Sequence, residues 1–208
     1  MITLYLVRHG ETDWNAERRV QGQMESVLSE RGTGQAQELR PTIENLNIER
    51  AYTSTSRRTR QTADILLTGI DLPLLPDPDL REIMLGPWEG MLWSEVDQSY
   101  PDESDLFRNQ PHRFALDGAE SYLDVQHRAV NCIQRIVADC AQNDIDRVLV
   151  VSHGMFIKTL IAGLAGIATE QLRAGPDIGN CSLSVVTCSE GEFEVLEVGG
   201  QPFNRAEW

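Results

Sequence analysis

"LVRHGETDWN", residues 6–15, carries the end of a short apolar run (residues 2–7) straight into an arginine, a histidine and a glycine. An apolar run of this length that stops at a turn residue reads as a buried strand of the kind found inside parallel sheets. Arg8 and His9 then stand at its carboxyl end, the edge of an open parallel sheet where ligands bind. The pattern recurs twice: residues 147–151 run into Ser152-His153-Gly154, and residues 51–53 run into the polar stretch 54–60. Three polar clusters far apart in sequence are thereby directed to one sheet edge. A lone His-Gly after a strand is an ordinary turn, but two of them at the ends of two strands, with arginines nearby, point to a site.

The rest of the chain supports such a sheet. Residues 29–46 read as a helix weakened by Gly32, Gly34 and Pro41, and residues 57–67 as a second helix. "DLPLLPDPDL" (71–80), with three prolines, reads as a connection rather than an element. Residues 86–118, richer in Trp, Asp, Pro and Phe, read as short helices and loops forming a cap inserted into the main fold. Ser121 can N-cap a long helix whose apolar positions Tyr122, Val125, Ala129, Cys132, Ile133, Ile136, Val137 and Cys140 keep a 3.6-residue period. Residues 155–164 form another helix, and 181–187 with 193–198 close the chain as a hairpin around "SEGE". Strands alternating with helices predict an α/β fold of three layers, a mostly parallel central sheet flanked by helices, in one domain spanning 1–208.

Composition narrows the class. The chain has 208 residues, 41% hydrophobic and 24% charged, enough for one sizeable core. With 32 acidic against 18 basic residues and a net charge of -14, its surface should repel nucleic acid and anionic membrane. No segment supplies the roughly 20 uninterrupted apolar residues of a membrane span. The N-terminal run is too short for a signal peptide and meets Arg8 where an apolar region should continue, so a soluble, cytoplasmic protein is expected. Cys132, Cys140, Cys181 and Cys188 show no CxxC pair or zinc-ligand spacing and read as reduced core thiols. His112 and His127 match no motif and are expected to face solvent, "DPD" (77–79) reads as a turn, and no metal or cofactor is implied. The sequence leaves the oligomeric state open.

The arginines suggest what meets His9. Arg57, Arg58 and Arg60 fall in the first turn of a helix, where the macrodipole already favours anions. Cations there are misplaced unless something negative binds, and a phosphate contacted by Arg8 and Arg58 would relieve them better than nearby Asp64. Hydrolysis of a phosphate monoester needs an aligned nucleophile and neutralised charge. His9, kept neutral by the field of Arg8 and Arg58, could attack phosphorus through one ring nitrogen and form a phosphohistidine. A carboxylic acid must then protonate the leaving alcohol. Glu82, between the proline-rich connection and a Gly-Pro turn, is placed to do so, with Glu11 and Glu89 as rivals that spacing does not eliminate.

Taken together these segments resemble the histidine phosphatase superfamily, the phosphoglycerate mutase-like fold. "LVRHGETDWN" is similar to its RHGET-x-x-N signature, "RRVQGQMESVLSERGTGQA" (18–36) to its glycine turn and first helix, and "TSTSRRTRQTA" (53–63) to its Ser-Pro-Leu-x-Arg-Ala-x-Gln-Thr-Ala segment. "LREIMLGPWEG" (80–90), "GAESYLDVQHRA" (118–129) and "VSHG" (151–154) match later motifs in order. The resemblance implies His9 as phosphorylated nucleophile, Glu82 as proton donor, Arg8, Arg58 and His153 as phosphoryl ligands, and Asn15, Gln21, Gly22, Arg60 and Gly154 as pocket residues. Thr55 and Ser56 replace the usual Pro-Leu, and Ala119 intrudes into Gly-Glu-Ser, without removing a reactive group. Glu120 reads equally as a partner for an arginine and as a helix-start acid.

The expectation is a metal-independent phosphatase acting on a small phosphorylated metabolite. The alternatives are a 2,3-bisphosphoglycerate-dependent phosphoglycerate mutase, whose branch is usually longer, and a non-catalytic relative that binds a phosphorylated ligand. Trp88, Trp93, Tyr100, Phe107 and Phe114 either wall the leaving-group side or pack the cap. Arg108 and Arg113 either read a second anionic group or stand exposed.

Overall fold

A computed structural model describes residues 1–208. Its seven strands, β1 (Ile2–Arg8), β2 (Arg50–Ser54), β3 (Leu74–Asp77), β4 (Arg147–Ser152), β5 (Leu183–Ser189), β6 (Glu192–Val198) and β7 (Gln201–Pro202), form one sheet in the order β3-β2-β4-β1-β5-β6-β7. The four strands β3, β2, β4 and β1 are parallel, and β5 to β7 extend the sheet antiparallel. The helices are α1 (Asp13–Ala16), α2 (Glu30–Asn45), α3 (Arg57–Leu66), α4 (Trp93–Ser99), α5 (Pro101–Asn109), α6 (Tyr122–Gln142) and α7 (Gly154–Leu164). No helix is long and apolar enough to cross a membrane.

The chain's direction across the sheet reverses after β3, so right-handed crossovers put α2 and α3 on one face and α6 on the other. Side chains sort by the two-residue strand period. Leu4, Leu6, Val148, Val150 and Val186 pack with Ile133, Ile136, Phe156 and Leu160 of α6 and α7. Val7, Ala51, Leu149 and Val151 pack with Ile43, Ala63 and Leu66 of α2 and α3. Burial on both faces explains why β1 and β4 read as apolar runs rather than alternating ones.

The proline-rich stretch 71–80 corrects the sequence reading. Leu74–Asp77 is a true strand, paired parallel with β2 from Ala51↔Leu74 to Ser54↔Asp77. Pro76 is tolerated because β3 lies at the edge of the sheet, where no neighbour needs its missing N–H. The 86–118 segment does form short helices, α4 and α5 between two 3-10 turns. Trp88, fully buried, packs with Tyr100, Phe107 and Phe114 at ring separations of 5.5–6.0 Å. The Ser121 hydroxyl caps α6 by accepting from the Asp124 amide, and Cys132 and Cys140 face inward as free thiols.

Gly32, which weakens α2 by propensity, has a packing reason. A Cβ there would lie 1.9 Å from the Glu11 carbonyl oxygen, and one at Gly10 would lie 2.5 Å from the Gly32 carbonyl. The turn after β1 and the first turn of α2 therefore touch backbone to backbone. Gly34 faces open space within the same helix. Gly34→Ala should stabilise the protein by about 0.5–1 kcal/mol through helix propensity, whereas Gly32→Ala should cost about 1–3 kcal/mol by overpacking. Denaturant midpoints read both, and equal effects of the two substitutions would contradict the backbone contact.

Candidate active site

The turn after β1 is tied down at nearly every peptide. The His9 amide donates to Ser152 O at 3.0 Å, the Gly10 amide to Thr62 Oγ1 at 3.0 Å and the Glu11 amide to Gln35 Oε1 at 2.9 Å. Asn180 Nδ2 donates to His9 O at 3.0 Å. His9 is 3% exposed, and its Nδ1 lies 2.7 Å from Gly10 O. A carbonyl only accepts, so Nδ1 carries the proton and Nε2 keeps a lone pair. Burial, reinforced by the positive charges of Arg58 and Arg8, holds the His9 pKa well below the ordinary histidine range. The sequence expectation of a neutral His9 had the sign right but named only the smaller cause.

Arg8 donates through Nη1 to Ile178 O at 2.6 Å, and burial lowers its pKa against the opposing pull of Glu82, Asp177 and Cys181. Arg58 is fully buried and donates to Met24 O and Gly22 O, both at 2.8 Å. Burial lowers its pKa to about 10, so it remains a cation at neutral pH. Gly22 presents that carbonyl at φ +51°, and a Cβ there would strike Glu89 Oε1 at 2.1 Å. Glu89 is occupied in turn: Oε1 accepts from the Gln23 and Leu85 amides at 3.0 and 2.9 Å. Glu11 accepts from Ser29 Oγ at 2.9 Å and pairs with Arg31 at 3.3 Å. Both rivals of Glu82 hold loops, and neither lines the cavity that Glu82 faces.

His153 stands at the N-cap position of α7, just past the end of β4, fully buried and making no side-chain capping bond, its ring edge-on to His9 at a centroid distance of 5.3 Å. Its Nε2 lies 2.9 Å from Ser54 Oγ at the end of β2. Burial, then Arg58, His9 and Arg8, keep its pKa well below the usual range. Three buried nitrogens of this cluster, Arg8 Nε, Arg58 Nε and His153 Nδ1, have no protein partner.

Glu82 reaches the same place from beyond β3. Oε1 accepts from the Ile83 and Phe156 amides at 2.9 and 3.0 Å, and Oε2 from the Met155 amide at 3.1 Å. The carboxylate thus sits on the N-terminal turn of α7, where helix amides and dipole both attract an anion. Its main chain is held by Arg128, which donates to the carbonyls of Asp79 and Arg81 at 2.8 Å and of Glu82 at 3.3 Å. Glu120 orients that arginine with two bonds of 2.8 and 2.9 Å, which settles its reading as an arginine partner.

A cavity of about 260 Å³ is lined by Arg8, His9, Asn15, Gln21, Gly22, Arg58 and Glu82. Gly154 stands behind Arg8, its Cβ position 3.3 Å from Arg8 Nε. Arg60 is a correction: it is exposed beside Arg57, Gln61 and Asp64, outside this cavity. Two residues along a helix turn through about 200°, so Arg58 pointing inward sends Arg60 outward. Glu25 accepts from the Arg57 amide at 2.8 Å and supplies the negative charge that this helix start lacks. Of the cap aromatics, Trp93 and Phe107 line the cavity while Trp88, Tyr100 and Phe114 pack behind them. Arg108 pairs with Asp97 at 2.7 Å and Arg113 is exposed, so neither reaches the cavity. Arg19, Met155 and Arg173 also line it and were missed: Arg19 lies within the 18–36 segment without being singled out there, and no motif reaches Met155 or Arg173.

The sequence model of the histidine phosphatase superfamily (branch 1) matches residues 4–200, and the chain belongs to that family. Within it, the chain is similar to the probable phosphoglycerate mutase GpmB of Escherichia fergusonii, 34% identical over 93% of this chain and 88% of that protein. The solved structure of Bacillus stearothermophilus YhfR superposes with a TM-score of 0.91 at 38% identity, covering 98% of both chains. A mycobacterial glucosyl-3-phosphoglycerate phosphatase complexed with VO3 superposes at 0.86 and 28% identity, covering 96% of this chain and 99% of that one.

The depressed histidine pKa values carry a stability consequence. The unfolded chain takes up protons near pH 6.5 while folded His9 and His153 refuse them, so stability is full above about pH 6.5 and declines as pH falls below it. Denaturant midpoints should drop between pH 7 and 5.5, and the drop should shrink in a His9→Asn, His153→Gln double variant. An unchanged slope would mean that the two rings protonate freely in the folded state.

Proposed function

We propose that the protein is a metal-independent phosphomonoesterase acting on small phosphorylated metabolites through a phosphohistidine on His9. The observation that carries this reading is the 2.7 Å contact of His9 Nδ1 with Gly10 O, which leaves Nε2 as an unprotonated nucleophile among two arginines. The Nε2 lone pair attacks phosphorus as the P–O ester bond breaks; Glu82, which takes up a proton as the phosphate dianion arrives beside it, gives that proton to the leaving oxygen. In the second half Glu82 takes a proton from water, the water oxygen bonds to phosphorus, and the N–P bond electrons return to His9.

Arg8, Arg58 and His153 would bind the phosphoryl oxygens, which offer acceptors to the unpartnered Arg8 Nε, Arg58 Nε and His153 Nδ1. In the tautomer in which Ser54 donates to His153 Nε2, 2.9 Å away, His153 Nδ1 holds the ring proton and donates to the phosphoryl group. Asn15, Gln21 and Gly22 shape the wall: Asn15 Oδ1 accepts from the Thr12 amide at 3.1 Å, and Gln21 Oε1 accepts from Ser26 Oγ at 2.7 Å. The charge on the transferred group is then met by guanidinium groups and imidazole N–H rather than by a metal ion. Likeness to a glucosyl-3-phosphoglycerate phosphatase supports hydrolysis. Likeness to a probable phosphoglycerate mutase keeps isomerisation as the second reading.

The test is phosphate release from a panel of phosphomonoesters with and without EDTA, beside a mutase assay primed with 2,3-bisphosphoglycerate. Chelator-resistant release is expected, with His9→Ala losing about a thousandfold or more in kcat. Glu82→Gln should lose about 10²- to 10⁴-fold on alkyl phosphates and less on p-nitrophenyl phosphate, whose leaving group needs no proton. Primer-dependent isomerisation faster than release would replace hydrolysis by the mutase reading, and full activity of His9→Ala would overturn both.

A further inference from the structure

A second cavity, of about 370 Å³, shares Arg8, Glu82, Met155 and Arg173 with the first. Arg173, just past the 3-10 turn Thr169–Gln171, therefore stands on a wall common to both. Its guanidinium lies over Phe107 and Tyr122, 4.9 and 5.4 Å from the ring centroids. Through Nη2 it donates to Phe107 O at 2.6 Å and bonds the Tyr122 hydroxyl. Two aromatic faces and two hydrogen bonds fix its plane.

Nothing neutralises it. Arg173 makes no ion pair, whereas Arg19 pairs with Glu17 at 2.9 Å and Lys158 lies 3.8 Å from Asp177. Only Arg8 and Arg58, assigned above to the phosphoryl group, border the cavities equally unpaired. Nη1 of Arg173 has no protein hydrogen-bond partner and is not among the buried orphaned atoms, so it remains open to a ligand. Ile83, Leu85 and Phe107 line the first cavity beside these cations, an apolar surface that suits a short carbon skeleton.

We infer that Arg173 binds a second anionic group, a carboxylate or phosphate carried on the alcohol part of the ester, making the substrate class a small phosphomonoester with two anionic ends. The inference rests on the phosphatase reading and narrows it. It transfers to Arg173 the role that the sequence offered to Arg108 and Arg113. A guanidinium already held in place loses little conformational freedom when an anion arrives, so its charge is available for selectivity. The long-range repulsion from a net charge of -14 is screened beyond about 8 Å. Capture of a doubly anionic molecule is therefore local.

The experiment compares 3-phosphoglycerate, propane-1,3-diol bisphosphate and glycerol 3-phosphate as substrates of the wild type, Arg173→Gln, Arg173→Lys and Tyr122→Phe proteins. In Arg173→Gln the preference in kcat/KM for a doubly anionic ester over glycerol 3-phosphate should fall about tenfold or more, mainly through KM. Arg173→Lys should restore part of it, and Tyr122→Phe, which removes one of the two bonds that hold the guanidinium but keeps its charge, should lose less of it than Arg173→Gln. Whichever doubly anionic ester loses its advantage identifies the second anion as carboxylate or phosphate. An equal loss on all three esters, or no loss, would overturn the inference. Calorimetric binding of the same esters to His9→Ala, with and without Arg173→Gln, separates the two readings. If no ester is hydrolysed by the wild type, the phosphatase reading falls while selective binding still decides the role of Arg173.

Discussion

Two guanidinium groups, Arg8 and Arg58, are held beside two buried imidazoles with no ion pair to either arginine. Removing a cation from water costs several kcal/mol even after relaxation. The fold offsets that cost with carbonyl dipoles, Ile178 for Arg8 and Gly22 and Met24 for Arg58, and with the field of Glu82. Segments that look like mere connections are thereby drawn into the site, because their backbone oxygens solvate the arginines. Burial keeps both histidines neutral, and the same uncompensated charge reinforces it and makes the cavity a place for an anion.

Holding that charge demands a rigid rim. The turn after β1 gains its rigidity from donors to Ser152, Thr62 and Gln35, contributed by β4, α3 and α2, and from a backbone contact that leaves no room for a side chain at Gly10 or Gly32. Glu82 is steadied differently, by amides of α7 on its carboxylate and by the Arg128–Glu120 pair on its main chain. α6 thus reaches the site through Arg128 and through Tyr122, which bonds Arg173, although none of its own residues lines the first cavity. Glu89 and Glu11, equally plausible acids by chemistry, serve as scaffolding for the loops that place Gly22 and α2.

Much of this is legible in the sequence. Apolar runs ending in Arg8-His9-Gly10 and Ser152-His153-Gly154 announce buried parallel strands because side chains pack both faces of such a sheet, and the register Arg8↔Ser152 brings the two ends level. The long helix from Tyr122 was legible from its period and its serine cap. β3 was not, since an edge strand needs neither apolar alternation nor every amide, and the three prolines of the stretch 71–80 that holds it spoke only of local stiffness.

Residue types and local spacing, then, carry the strands, the helices and the two histidines that end them, because periodicity and capping are short-range properties of the chain. Residue chemistry and spacing left the carboxylate open, the family resemblance named Glu82 and Arg58, and the tertiary structure put both at the cavity, Arg60 outside it and Arg173 unpaired on its wall. Those outcomes depend on burial and on carbonyls supplied from elsewhere in the chain, Gly22 and Met24 for Arg58 and Phe107 for Arg173.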